Sequence, residues 1–172
     1  DPLTFTVSAN AQTFTENGTP VPLFGNVTVA DVDTSAATAS AGNQAVISLD
    51  GATADDRITI ADGNGVSVSG SNVSIGGTVV ATLAGGTGTT PLTVSWVNGV
   101  TTQSQAQAVL EQARHAVTGD AVVSGSRIAQ VSLTFDQSTV TQTGNTISVV
   151  GVDDPLTFTV SANAQTFTEN GA

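Results

Sequence analysis

The chain contains no cysteine, no methionine, no tyrosine and no lysine. Without cysteine, no disulfide can staple it. Without lysine, Gly85-Gly86-Thr87-Gly88 cannot serve as a Walker-type phosphate loop, despite its glycines. Charge is scarce, at 10% of residues against about a quarter in ordinary proteins, so Thr, Ser, Asn and Gln must dress most of the surface. The charge present is one-sided: 14 acidic residues against three arginines, net −11. Such a chain repels nucleic acid and anionic lipid and suits dissolved cations. Six Phe and one Trp are a thin stock for a sugar-stacking platform, and the single Trp96, alternating with its neighbours, reads as core. No apolar run approaches a membrane span. The chain opens on a strand-like segment and not a signal peptide, so an export signal is expected elsewhere in a longer protein.

What is present is a repeat. Asp1–Gly18 reads DPLTFTVSANAQTFTENG, and Asp154–Gly171 reads the same, letter for letter. The offset predicts a period of 153 residues, with 1–153 one complete module and 154–172 the first strand of the next. One period is long enough for a single-core domain.

Thr, Val and Ser dominate, and alternation points to strands. Leu3, Phe5 and Val7 share one face while Thr4, Thr6 and Ser8 share the other. Val131, Leu133 and Phe135 repeat the pattern, as do Ile58 with Ile60 and Val66, Val68, Val73 and Ile75. Further strand-like runs are 27–30, 45–49, 79–83, 92–97 and 146–150. Turn signals separate them at Asn17-Gly18, Asp50-Gly51, Asp62-Gly63-Asn64-Gly65, Gly76-Gly77, Asn98-Gly99 and Gly144-Asn145. This spacing predicts an all-β sandwich. One segment reads differently. Ala106, Val109, Leu110, Ala113 and Val117 form an apolar stripe at helical spacing, Ser104 with Gln107 makes a capping-box pattern, and Gly119 supplies a stop. A single short helix is expected over about 101–117.

The segment Phe14–Thr34, FTENGTPVPLFGNVTVADVDT, resembles the opening of bacterial cadherin-like repeats, the immunoglobulin-like β-sandwich modules of large, often type I-secreted (RTX-type), adhesins. The helical AQAVLEQ segment, the strands after it and the acidic junction Val152-Asp153-Asp154-Pro155 resemble later landmarks of the same family in the same order. Residues 36–94 do not align and read as extra strands. The resemblance implies a structural extender repeat at the bacterial cell surface, an extracellular protein of cell adhesion and biofilm, whose partners are neighbouring repeats of the same chain. Host or surface ligands would engage other domains, and neither nucleic acid nor membrane insertion is expected.

The same resemblance implies Ca²⁺ between modules, held by Glu16, Asp31, Asp33, Asp153 and Asp154. Asp120 joins them because its loop follows the helix and is expected at the same end. The chemistry agrees. Ca²⁺ takes six to eight oxygens, and an extracellular chain without disulfides needs another stiffener. Asp31 and Asp33, two apart on an extended strand, share a face. Carboxylates gathered near one end would repel one another without a cation. Turn chemistry and solubility account for acidic residues equally well. DVDT is not an EF-hand loop, since Ala36 and Gly42 stand where Gly and Glu are needed.

No catalytic set emerges, and an enzyme is not expected. His115, the only histidine, falls on the polar face of the expected helix without a second ligand or a nucleophile elbow. Two alternatives stand beside the extender. One is a module that itself binds a glycan or host protein, through aromatics around Trp96 or a deep polar pocket. The other has residues 154–172 completing the same sandwich, with Phe158 and Val160 beside Val131 and Leu133.

Overall fold

The computed structural model describes residues 3–30, 38–119, 122–153 and 158–163. In chain order the strands are β1 (Thr4–Val7), β2 (Ala11–Thr15), β3 (Val21–Pro22), β4 (Val27–Ala30), β5 (Gln44–Asp50), β6 (Asp56–Ile60), β7 (Val66–Ser69), β8 (Asn72–Ile75), β9 (Thr78–Gly85) and β10 (Leu92–Trp96). Helix α1 (Gln103–Leu110) follows, then β11 (Ala113–Val117), β12 (Gly125–Phe135) and β13 (Ser138–Val150). The result is an all-β sandwich with one short helix.

One layer is an eight-stranded sheet ordered β2-β13-β12-β5-β10-β9-β8-β7. The other consists of the pair β1-β4 and the triplet β3-β11-β6, with α1 packed on β4. The inward residues of the alternating strands meet in one apolar core. Val131, Leu133 and Phe135 are fully buried, as are Ile47, Val94 and Leu110. Trp96 is also in the core, as its strand pattern predicts. Phe158 and Val160 stand outside it, 82% and 69% exposed.

Two pairings set the polarity of the module. β1 runs antiparallel to β4, Thr4 opposite Ala30. β2 runs parallel to β13, Thr15 beside Val150. The first segment of the chain thus crosses from one layer to the other at residues 8–10, where Ser8 still bonds Asn26 and Asn10 already bonds Thr146. Asn145 holds this crossing. Its Oδ1 accepts from the Asn10 N–H at 2.7 Å, and its Nδ2 donates to the Pro22 carbonyl at 2.9 Å.

The helix is shorter than the expected 101–117. It starts at Thr102, whose hydroxyl accepts from the Gln105 N–H while Gln105 Oε1 accepts from the Thr102 N–H. The capping box is therefore Thr102 with Gln105, two residues ahead of Ser104 with Gln107. It ends at Glu111. Ala113–Val117 is a strand with Ala113, His115 and Val117 inward, because it fills the gap between β3 and β6 and bonds both. Ladder hydrogen bonds on two edges outweigh the helical spacing of Ala113 and Val117, and Gly119 ends a strand and not a helix.

Gly144-Asn145 is not a turn either. It lies inside β13 at a register shift opposite Ala129, where a Cβ on Gly144 would sit 2.5 Å from the Phe24 ring. The two-residue turn of this hairpin is Asp136-Gln137, both at positive φ. It is braced by Asn43, whose Oδ1 accepts from the Asp136 N–H at 3.0 Å.

Candidate functional site

The parallel register of β2 and β13 carries Glu16 to the place where the chain leaves the module. The Glu16 N–H donates to the Val150 carbonyl at 2.9 Å, and Glu16 Oε2 accepts from the Val152 N–H at 2.7 Å. Asp153 is the next residue and is exposed. The strand end is tight. The Gly151 N–H donates to Ser124 Oγ at 2.9 Å, and a Cβ on Gly151 would meet the Val122 carbonyl at 3.0 Å. Glu16 is 6% exposed, and its Oε1 is buried with no hydrogen-bond partner. A buried carboxylate oxygen without a donor is costly, and a cation arriving from the junction would satisfy it.

Asp31, Asp33, Asp120 and Asp154 lie outside the described residues, but the residues that flank them are placed. Gly119 and Val122, on either side of Asp120, belong to the Glu16 end. Thr118 donates to the Asp55 carbonyl there, and the Val122 carbonyl packs on Gly151. Ala30 and Thr38, which flank 31–37, belong to the opposite end. Ala30 pairs with Thr4 at the start of β1, and Thr38 bridges Thr102 at the start of α1. Glu16, Asp153, Gly119 and Val122 share one end, and Ala30 and Thr38 lie at the other. Among the described residues, no group of three or more His, Asp or Glu side chains is gathered to hold a metal ion.

A second polar cluster was not foreseen. His115 is fully buried in β11 and not on a polar helix face. Its Nε2–H donates to Asp56 Oδ1 at 2.6 Å. Asp56 Oδ2 accepts from Arg127 Nε at 2.9 Å and from the Thr53 N–H and hydroxyl at 2.6 and 2.9 Å. Arg127 also reaches the Val123 carbonyl at 3.0 Å. The Phe14 ring lies edge-on to the imidazole, whose Nδ1 has no partner. Burial pushes the Asp56 carboxyl up, but the bonds from His115, Thr53 and Arg127 outweigh it and hold the group well below the usual carboxylate range. His115 and Asp56 are 0% exposed, and the cluster ties β6, β11 and β12 together. The only sequence signal was a lone Asp, His and Arg in strands otherwise apolar on their inward face.

Between β6 and the β7–β10 half of the large sheet lies a cleft of about 400 Å³, lined by Ile58, Ile60, Val68, Leu83 and Leu92. Neither an aromatic ring nor a charged side chain lines it. Compared with known proteins, the chain matches no family model, no curated protein and no solved structure. No helix among the described residues is long and apolar enough to cross a membrane.

Proposed function

We propose that this chain is an extender repeat of a bacterial surface adhesin, a spacer whose copies join end to end outside the cell and hold a distal binding region away from it. The observation that carries the reading is the 18-residue identity of Asp1–Gly18 with Asp154–Gly171. The polarity of the sandwich supports it. The start of β1 and the end of β13 lie at opposite ends, so a following module prolongs the long axis. The cadherin-like landmarks, immunoglobulin-like in kind, point the same way. Repeats that touch only their neighbours set length by copy number and stiffness by their junctions.

Ca²⁺ at the junction is the stiffener in this reading. Glu16, Asp120, Asp153 and Asp154 of one module meet the Asp31 and Asp33 positions of the next across the seam. The orphaned Glu16 oxygen supports a ligand there. Extracellular modules bind Ca²⁺ at about 10⁻⁴–10⁻³ M, so the clamp would engage outside the cell and release inside. A chain carrying residues 1–153 twice in succession tests this. In millimolar Ca²⁺, with Mg²⁺ as control, its melting midpoint rises and X-ray scattering shows a rod nearly two modules long. EDTA, or Asp31→Asn with Asp33→Asn in the second module, abolishes both effects. A compact particle of unchanged dimension in either ion sinks the extender, and an extended rod indifferent to Ca²⁺ sinks the clamp alone.

A further inference from the structure

The eight-stranded sheet guards its two margins unequally. At one margin β7 is four residues long, and Asp62 Oδ1 accepts from the Val68 N–H at 2.7 Å. A short strand with an amide already taken is a poor template for another chain. At the other margin β2 covers β13 only from Thr146 to Val150. Beside Ser138–Thr143, no described strand lies beyond β13 in the sheet. β1 packs on β13 from the facing layer, but its ladder goes to β4.

The hairpin fixes which backbone groups this leaves over. A two-residue turn closes on a hydrogen-bonded pair, here Phe135 with Ser138. Bonded and non-bonded pairs then alternate, so Ser138, Val140 and Gln142 bond β12, while the N–H and C=O of Thr139, Thr141 and Thr143 point away from it. None of the usual edge defences interrupts this stretch: it holds no charge, no proline and no register shift. It is also ordered in advance. Thr139 bonds Thr134, Thr141 bonds Ser132 and Thr143 bonds Gln130, at 2.9, 3.2 and 3.1 Å, so little freedom is left to lose when a strand is added.

We infer that the Ser138–Thr143 edge of β13 is a docking site for the same edge of a second copy of this chain, the two strands antiparallel about a two-fold axis at Val140. Thr139-Val140-Thr141 reads the same in both directions. The second copy therefore sets Thr opposite Thr in two bonded pairs, a favourable cross-strand match. It also sets Val140, a partly buried residue packed against the core, against its own mate. The pairing brings no like charges face to face, which matters in a chain of net −11; Asp136 falls opposite Gly144. A contact of one strand pair lies below the roughly 1,000 Å² of a lasting interface, so it forms only in concentrated protein. The inference stands apart from the extender reading, which joins modules end to end, whereas this edge joins them flank to flank and needs neither Ca²⁺ nor a second repeat.

Sedimentation of the full chain reads this directly. The chain runs as a monomer at about 10 μM and moves toward dimer, and not beyond it, near 1 mM, because a two-fold contact closes. Added salt favours the dimer by screening the net charge. Thr139→Glu with Thr141→Glu sets carboxylates opposite carboxylates on an exposed face and keeps the chain monomeric throughout, with an unchanged melt. Amide exchange needs no substitution: Thr139 and Thr141 gain protection as concentration rises, while Ser138 and Val140, already bonded to β12, do not. The chain has no native thiol, so Val140→Cys offers a single sulfur. The Cα atoms of a directly opposed, non-bonded pair lie about 4.5 Å apart, within disulfide reach. In mild oxidant Val140→Cys dimerises about tenfold faster than Val123→Cys, although Val123 is the more exposed at 54%. A chain that stays monomeric with no gain in protection, assembly that grows past dimer, a dimer that survives the paired glutamates, or equal crosslinking at the two cysteine positions each overturns the inference. None of these results bears on the two-module scattering experiment, so the two readings fail separately.

Discussion

Replacing Asp56 by Asn tests the buried cluster most sharply. The side chain keeps its shape and loses its charge. Arg127, itself 3% exposed, then has no counter-ion, and an amide hydrogen faces either the guanidinium or the imidazole. Breaking a buried ion pair from one side typically destabilises by about 3–5 kcal/mol. At about 2–4 °C per kcal/mol for a domain of this size, the melting midpoint should fall by about 6–20 °C. Calorimetry at neutral pH reads this directly. The pH dependence adds a second signature. The folded Asp56 carboxyl lies below its unfolded value of about 3.9, so its contribution is complete above that pH and is lost as pH falls through the folded value. The difference between parent and variant is therefore constant from neutrality down to about pH 4 and narrows only below it. Replacing Asp56, His115 and Arg127 together by Leu, Leu and Met should recover most of the loss, because a packed apolar trio has no charge left to strand. A fall of less than about 3 °C in the single variant, or a difference that closes between pH 7 and about pH 5, would refute the assignment of Asp56 as the ionised hub.

Two further substitutions probe single joints of the fold. Asn145→Ala removes the partners of the Asn10 N–H and the Pro22 carbonyl, and urea unfolding should register a loss of about 2–4 kcal/mol. Thr102→Ala removes one half of the capping box and should lower stability by about 1 kcal/mol with an unchanged denaturant slope; Ser104→Ala should leave it nearly unaltered.

Much of the fold is legible in the chain because two-residue periodicity is a local property. Leu3-Phe5-Val7 and Val131-Leu133-Phe135 each declare an inward face without reference to any partner. The segment from Ala106 to Val117 shows where local pattern is ambiguous. Ala113 and Val117 fit a helical stripe, yet Ala113, His115 and Val117 fit a strand equally well, and only the open edges of β3 and β6 decide between them. Gly144-Asn145 has turn chemistry but serves inside a strand, because Gly144 makes room for the Phe24 ring and Asn145 bonds two other segments. The candidate site was legible residue by residue and not in arrangement. Glu16 and Asp153 could be named from the chain, but which acids share an end depends on strand direction. No single strand records its direction relative to the others.

The amino-acid sequence by itself determined the β class, the repeat and the acidic, cysteine-free surface, because composition, alternation and self-identity need no third dimension. Tertiary structure alone decided that His115, Asp56 and Arg127 meet, though they come from three strands far apart in the chain. It also decided that Glu16 returns to the side of Val152 and that β1 begins at the far end from where β13 finishes. These are consequences of pairing partners and polarity, which are set when the whole core closes and not by any stretch of residues within it.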